Sequence, residues 1–224
     1  VNHDAHNHIS EVQERGVKAF MVEHAVSLGE GCGAVIVNNS LAALQALATH
    51  HRKQFEGKVV AITGSNGKTT GKEWIAQCAP RDAKIFRSPR SYNSQLGVAL
   101  SLLMLDNTYN VAIIEAGISQ KGEMERLRNI IAPDMVIFTS IGDAHAQGFA
   151  SLEEKISEKI ALAKTANTII YHSAYSTLAE AIKAKYSDRT LIDANFALAP
   201  KMADHASQCN AEIVATFFAE MEYT

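Results

Sequence analysis

The sequence predicts an α/β protein in which a parallel sheet is flanked by helices and preceded by a partial, smaller α/β domain. From residue 59 onward, short apolar strands alternate with helical stretches, the rhythm of a parallel sheet wrapped by helices. The composition, 47% apolar and 20% charged, is that of a globular protein. At roughly 100–200 residues per domain, the 224 residues amount to one large domain or to one domain and part of another. We expect the domain boundary between residues 56 and 57.

The first part, residues 1–56, predicts two short strands and two helices. The strands are expected at 17–22 and 34–37, with one helix before the first strand. A second helix is expected at 41–54, with Ser40 as its N-cap. The run at 55–58 then interrupts the pattern, which suggests a boundary.

The second part, residues 57–224, predicts four strands and five helices. The strands are expected at 59–63, 111–114, 135–139 and 168–171. The helices are expected at 69–79, 94–105, 121–131, 151–165 and 176–186. The stretch 187–205 has no clear pattern, and we assign no element to it.

Charge and cysteine content narrow the function classes. With 21 basic against 24 acidic residues, the chain has no general electrostatic drive toward nucleic acid or anionic membrane, so an anion must be held by a local site. Cys32, Cys78 and Cys209 are few and widely spaced, which argues against a disulfide framework or a zinc knuckle and favours a cytoplasmic location. No apolar run approaches about 18 residues, so we expect no membrane insertion.

A strand, a glycine turn, Lys-Thr and a helix follow one another at residues 59–78. This context predicts a phosphate-binding loop, although the first glycine stands two residues later than in the strict G-x-x-x-x-G-K-[ST] motif. Glycines let backbone N–H groups turn inward, the helix presents its positive end, Lys68 adds a charge and Thr69 offers a hydroxyl to Mg²⁺. The alternative is a glycine turn with a solvated lysine. The candidate loop residues are Gly64, Ser65, Asn66, Gly67, Lys68, Thr69 and Thr70.

Two further polar residues are expected at the same edge of the sheet. Glu115 ends one apolar strand, and His145 follows another closely. Because the carboxyl ends of parallel strands share one edge, both should lie near the phosphate loop. A carboxylate there can hold Mg²⁺. For His145, a loop histidine bonded to backbone is the alternative.

Lys159 lies at the margin of an apolar helical face. Ser151 begins the helix as a capping residue, and the 100° spacing puts Lys159 near Leu152. Two interpretations stay open: the side chain reaches past the apolar surface to solvent, or burial lowers its pKa and leaves a neutral amine for chemistry.

Four ordered motifs resemble the Mur ligases of peptidoglycan synthesis. They are residues 63–70 (TGSNGKTT), 88–97 (SPRSYNSQLG), 115–124 (EAGISQKGEM) and 142–149 (GDAHAQGF). Within that family, the 115–124 block is most similar to the ligases that add D-alanyl-D-alanine to UDP-N-acetylmuramoyl-tripeptide. The resemblance implies ATP-dependent amide formation through an acyl phosphate, with release of ADP, in cell-wall biogenesis.

The resemblance also implies roles for particular residues. Lys68 would contact the ATP phosphates, Thr69 and Glu115 one Mg²⁺, and His145 a second. Lys159 matches the lysine that the family carbamylates with CO₂ to make a metal ligand, so Lys68, His145 and Lys159 are the catalytic candidates. Two asparagines complete the set. Asn93 falls in the loop near the substrate and γ-phosphate, where Ser94 replaces a second Asn, and Asn210 resembles the adenine-contacting Asn.

The resemblance assigns residues 1–56 to part of a UDP-substrate-binding domain and 57–224 to the central ATP-binding domain. The family's C-terminal Rossmann-like domain would be missing, so we expect the chain alone to be inactive. Some relatives also carry a fused alanine racemase domain. Two other functions stay open: a sibling Mur or folylpolyglutamate-synthetase-like ligase, and a non-catalytic nucleotide-binding module.

Overall fold

The computed structural model describes residues 4–142, 148–195 and 199–222. The chain divides into two compact units, Val1–Ala46 and Leu47–Thr224. The assignment of domains to residues 1–56 and 57–224 stays a prediction.

The first unit contains a small parallel sheet. Its strands are β1 (Ala19–Val22) and β2 (Gly33–Ile36), preceded by helix α1 (Ile9–Glu14). Ala19 pairs with Gly33, and the register continues through Val22 and Ile36. These elements lie where the sequence predicts them.

Helix α2 (Ser40–Arg52) begins one residue earlier than predicted. The expectation that Ser40 is its N-cap is wrong, because Asn39 Oδ1 accepts a hydrogen bond from the backbone N–H of Ala42 at 2.7 Å. The Ser40 hydroxyl instead donates to Glu23 Oε1 at 2.8 Å.

The second unit is built on a six-stranded sheet, counted over the described residues, in which all neighbouring strands are parallel. The strands are β3 (Lys58–Thr63), β4 (Ile85–Arg87), β5 (Val111–Glu115), β6 (Met135–Phe138), β7 (Thr168–Tyr171) and β8 (Thr190–Asp193). Their spatial order is β4-β5-β3-β6-β7-β8. The predicted α/β fold is therefore confirmed.

Five helices connect these strands, and a sixth follows β8, counted over the described residues. They are α3 (Lys68–Cys78), α4 (Gln95–Leu103), α5 (Glu123–Ile131), α6 (Leu152–Ile160), α7 (Ser176–Lys185) and α8 (His205–Glu220). A 3₁₀ turn at Ala161–Thr165 continues α6. Among the described residues, no helix is long and apolar enough to span a membrane.

The core lies around the central strands, which are buried on both faces. Ile62, Ile113 and Ile137 are fully buried neighbours from β3, β5 and β6. Ile213 and Phe217 from α8 join the same cluster, so the last helix covers one face of the sheet.

The strand order creates a switch point beside β3. The chain moves from β3 outward to β4, returns through β5, and then crosses to β6 on the other side of β3. Connections on opposite sides of a strand leave a crevice at its carboxyl end, which is where open α/β sheets bind ligands. The predicted phosphate loop follows β3 at that crevice.

Candidate phosphate and metal site

Residues 64–67 link β3 to α3 in a tight turn. Gly67 has φ +84°, in the left-handed region, and a Cβ there would lie 2.7 Å from Asn210 Oδ1. The turn leaves the first N–H groups of α3 at the carboxyl edge of the sheet, where a helix N-terminus favours an anion.

Gly64 packs against the segment that follows β6. A Cβ at Gly64 would lie 2.0 Å from Thr139 Oγ1 and 2.9 Å from the Ser140 carbonyl oxygen. The Ser65 N–H donates to the same Ser140 oxygen at 2.6 Å, and Thr139 Oγ1 donates to the Asn66 carbonyl at 2.6 Å. The segment after β6 therefore forms one wall of the loop.

Lys68 folds over the loop that precedes it. Its Nζ donates to the carbonyl oxygens of Gly64 at 2.9 Å and Ser65 at 3.1 Å. Burial lowers the pKa of Lys68, Glu115 opposes that shift and Lys155 adds to it. The ammonium group thus stands directly at the mouth of the loop.

Glu115 contacts two other predicted residues. Its carboxylate is 1% exposed and accepts from Thr69 Oγ1 at 2.9 Å and from Asn93 Nδ2 at 2.7 Å. Glu115 lies at the end of β5, next to β3, as the sheet topology requires. The carboxylate and hydroxyl oxygens are the kind of ligand that Mg²⁺ prefers.

Lys72 is a site residue that the sequence analysis missed. Its side chain is fully buried, and Nζ lies 3.6 Å from Glu115 Oε2. It also donates to the carbonyl oxygens of Ser88, at 2.8 Å, and Arg90. The available signal was its position one helical turn after Lys68, on the same face of α3.

Lys159 is 3% exposed and does not reach solvent. Its Nζ donates to the Gly64 carbonyl at 3.1 Å, the oxygen that Lys68 also contacts. Burial above all, with repulsion from Lys68 and Lys155, lowers the pKa of Lys159 to about 7. Near pH 7 about half of this amine is therefore in its neutral form.

Lys155 is a second residue that the sequence analysis missed. It lies one turn before Lys159 on α6, is also 3% exposed, and its Nζ donates to the Gly142 carbonyl at 2.5 Å. Gly142 in turn exchanges hydrogen bonds with Ser65 Oγ. The spacing of four residues from Lys159 was the signal for a shared face.

The remaining predicted residues have different positions. Asn210, on α8, is buried beside Gly67. Asn66 and Thr70 are exposed. His145 lies outside the described residues, so its predicted place at the site is not described.

A metal ion at this site would need ligands besides the side chains of His, Cys, Asp and Glu. The described residues include no group of three His, Cys, Asp or Glu side chains placed to hold an ion. Glu115 and Thr69 provide oxygen ligands, and phosphate oxygens would complete such a set. The donors present thus fit Mg²⁺ as a partner of a bound phosphate.

The fold and this geometry define an α/β domain in which a glycine turn, Lys68 and Glu115 lie at the carboxyl edge of a parallel sheet. The family model for the Mur ligase middle domain matches residues 62–217. The chain therefore belongs to the Mur ligase family, and the resemblance stated from the motifs is confirmed.

Two curated relatives share one enzyme name. The UDP-N-acetylmuramoyl-tripeptide--D-alanyl-D-alanine ligase of Rickettsia prowazekii is 33% identical over 163 residues, covering 73% of this chain and 36% of the relative. The enzyme of the same name from Bacillus subtilis is 31% identical over 151 residues, covering 67% of this chain and 33% of the relative. The chain thus spans about a third of the length of these relatives.

Solved structures share the fold. MurF from Acinetobacter baumannii superposes with a TM-score of 0.87 at 23% identity, covering 99% of this chain and 55% of that one. MurF from Thermotoga maritima, solved in complex with ADP, gives 0.82 at 20% identity, covering 99% and 58%. Folylpolyglutamate synthetase from Helicobacter pylori gives 0.57 at 16%, covering 82% and 59%.

Proposed function

We propose that the chain is the ATP-binding core of an ADP-forming ligase that joins D-alanyl-D-alanine to UDP-N-acetylmuramoyl-tripeptide. The observation that carries the proposal is the buried Glu115, bonded to Thr69 and Asn93 beside the loop that Lys68 covers. This combines phosphate-binding and metal-binding groups at one sheet edge. The names of the curated relatives support the choice of substrates.

The proposed reaction uses the phosphate loop for positioning and charge stabilisation. The tripeptide carboxylate attacks the γ-phosphorus of ATP and gives an acyl phosphate and ADP. The amine of D-alanyl-D-alanine then attacks the acyl carbon, the C–O bond to phosphate breaks, and phosphate leaves as the amide forms. Lys68 and the first N–H groups of α3 neutralise charge on the transferring phosphoryl group.

Mg²⁺ would lie against Thr69 and Glu115, with His145 and Lys159 as the ligands of a second ion. When bound, these ions neutralise phosphate charge. Lys159 fits its proposed modification, because only a neutral amine reacts with CO₂ and this amine has a pKa of about 7. Crystallographic density for one added CO₂ at Nζ supports carbamylation, and a bare amine in a metal-loaded site at adequate CO₂ refutes it.

Two asparagines complete the proposed nucleotide site. Asn210 would contact the adenine, and its position beside Gly67 puts it next to the phosphate loop. Asn93 would lie near the γ-phosphate through its bond to Glu115. The family's first domain would include residues 1–56, and a C-terminal domain, with a racemase domain in some relatives, would be a partner of this chain.

The test is a ligation assay on the protein as its gene encodes it. We expect ATP-dependent product, detected by mass spectrometry, from UDP-N-acetylmuramoyl-tripeptide and D-alanyl-D-alanine, and none from folate with glutamate. The folate pair is the matched control because a folylpolyglutamate synthetase shares the fold. Product only from the folate pair, or from neither pair, would refute the proposal.

The alternative function, a non-catalytic nucleotide-binding module, predicts a different result. Such a module would bind ATP without dependence on Glu115 or His145. Metal titration of Glu115→Ala and His145→Ala variants in the presence of ATP separates the two functions, since the ligase proposal expects weaker metal-dependent binding in both.

A further inference from the structure

Lys72 ties helix α3 to the segment that follows β4, residues 88–93. Its side chain is fully buried, and Nζ donates to the carbonyl oxygens of Ser88, at 2.8 Å, and Arg90. Nζ also lies 3.6 Å from Glu115 Oε2. A single side chain therefore joins the helix after the phosphate loop, the end of β5 and the segment 88–93.

The middle of this segment has a strained backbone. Arg90 has φ +47°, in the left-handed region that residues other than glycine rarely adopt. Such a conformation costs free energy and persists only where the surrounding contacts enforce it. The bond from Lys72 to the Arg90 carbonyl oxygen is a contact of this kind. Lys72 thus helps to set the backbone conformation of the segment.

Both ends of the segment are bonded to the end of β5. Ser88 Oγ accepts from the Glu115 N–H at 3.2 Å, and Asn93 Nδ2 donates to Glu115 Oε1 at 2.7 Å. The Asn93 carbonyl oxygen also accepts from the Gly117 N–H at 2.8 Å. With its ends held in this way and its middle held by Lys72, the segment has a defined position beside Glu115.

The strand order places this segment where a terminal phosphate would point. β4 lies beyond β5 as seen from β3. The proposed adenine contact, Asn210, lies beside Gly67, whereas Thr69 is bonded to Glu115 on the β5 side. A triphosphate that runs from Asn210 toward Glu115 therefore directs its last phosphate toward residues 88–93. The attacking and leaving oxygens of a phosphoryl transfer are roughly in line, so the attacking carboxylate belongs on that side.

The exposed side chains of the segment suit an anionic group. Arg90, Ser91 and Tyr92 are exposed and offer a guanidinium group and two hydroxyl groups. A guanidinium group matches the geometry of a carboxylate with two parallel hydrogen bonds. The segment thus combines carboxylate-binding chemistry with a position at the end of the triphosphate.

We propose that Lys72 is a positioning residue for the tripeptide carboxylate, which it serves by holding the segment 88–93 in place beside Glu115. The proposal rests on the proposed function, because it takes the tripeptide as the substrate that attacks ATP. Its particular consequence is that loss of Lys72 impairs use of the tripeptide more than use of ATP.

The experiment is steady-state kinetics of the ligation with the protein as its gene encodes it and its Lys72→Met variant. The KM for UDP-N-acetylmuramoyl-tripeptide is expected to rise about tenfold or more, because a displacement of about 1 Å at a positioning group has effects of up to about 100-fold. The KM for Mg-ATP is expected to change by about threefold or less, since Lys68 and Thr69 are retained. Loss of folded protein would lower kcat and leave both KM values unchanged, so the two KM values separate positioning from stability.

Arg87→Met is the matched control. Arg87 is exposed, and its Nε pairs with Glu73 Oε2 at 2.9 Å, so it too connects β4 to α3. Glu73 Oε1 also lies 3.5 Å from Lys72 Nζ, so each variant removes a cation from the same carboxylate. Because Arg87 forms a surface ion pair, we expect its loss to change either KM by about twofold or less.

Three results would overturn the proposal: an unchanged tripeptide KM in Lys72→Met, an equal rise of both KM values, or the same selective rise in Arg87→Met. Urea denaturation checks folding, and Lys72→Gln, with the same expected selective rise, replaces the Met variant if the latter is unfolded. No product from the unmodified protein would refute the proposed function and this inference with it. Product from the unmodified protein together with an unchanged tripeptide KM in the variant would refute this inference alone.

Discussion

Replacing Lys72 by Met tests whether a buried cation organises the metal side of the site. Lys72 is fully buried in α3, bonded to the Ser88 and Arg90 carbonyls, and its Nζ lies 3.6 Å from Glu115 Oε2. Methionine keeps most of the side-chain volume and removes the charge. The substitution therefore leaves two carbonyls without this donor and Glu115 without its nearest cation.

The expected loss of stability follows from these contacts. Each buried acceptor that loses its donor costs about 1–3 kcal/mol, and removing one member of a buried ion pair typically costs about 3–5 kcal/mol in total. We expect Lys72→Met to lower the free energy of unfolding by about 4 kcal/mol. In the Lys72→Met variant, the further substitution Glu115→Gln removes the carboxylate charge that has lost its partner. The double variant should therefore be about 1–3 kcal/mol more stable than the sum of the two single losses predicts.

Urea denaturation followed by the fluorescence of Trp74, the single tryptophan, measures all four corners of this cycle. Lys84→Met is the control, because Lys84 is exposed and its loss is expected to change stability by under about 0.5 kcal/mol. A cost under about 1 kcal/mol for Lys72→Met, or strict additivity in the cycle, would refute the reasoning.

Two further predictions concern Gly64 in the loop and Lys159, which contacts the loop from α6. Gly64→Ala should destabilise the chain by about 1–3 kcal/mol and weaken ATP binding, because the new Cβ would lie 2.0 Å from Thr139 Oγ1. Urea denaturation measures the stability and calorimetry measures the ATP affinity. Unchanged stability and unchanged affinity would contradict this prediction. Lys159 binds a proton up to pH 10.5 when unfolded and only to about 7 when folded, so its contribution to stability should rise between pH 7 and 10.5, by about 1 kcal/mol per unit. In CO₂-free buffer, Lys159→Met should lose that part of the rise; identical pH profiles for both proteins would count against the burial argument.

The central strands and the phosphate loop could be predicted because local pattern and tertiary role agree there. Continuous apolar runs such as residues 59–63 bury both faces of β3, and a glycine turn before Lys68 specifies the loop. Glu115 could be placed at the same edge from the parallel topology alone.

Elements with weak patterns could not be predicted. β4 has three residues, and β8 is only partly buried at the sheet edge, so neither shows the continuous apolar run of a central strand. Helix α8 begins with polar and small residues, and its apolar side becomes evident only where Ile213 and Phe217 join the core.

The lysines of the site were predicted only in part. Lys68 has a motif, and Lys159 stands beside an apolar stripe, but Lys72 and Lys155 are charged residues at positions that sequence patterns assign to solvent. Their burial is decided by backbone carbonyls of the distant segments 88–90 and 142, which only the folded chain brings near them.

The central claim is that the carboxyl edge at β3 binds the phosphates of ATP through Lys68. Calorimetry of Mg-ATP with the 224-residue chain, repeated with Lys68→Ala, tests it most directly. The account predicts saturable binding that the substitution weakens by about tenfold or more, since a charge-assisted contact to phosphate is lost. Equal affinity of the two proteins, or no binding by the unmodified chain, would contradict it.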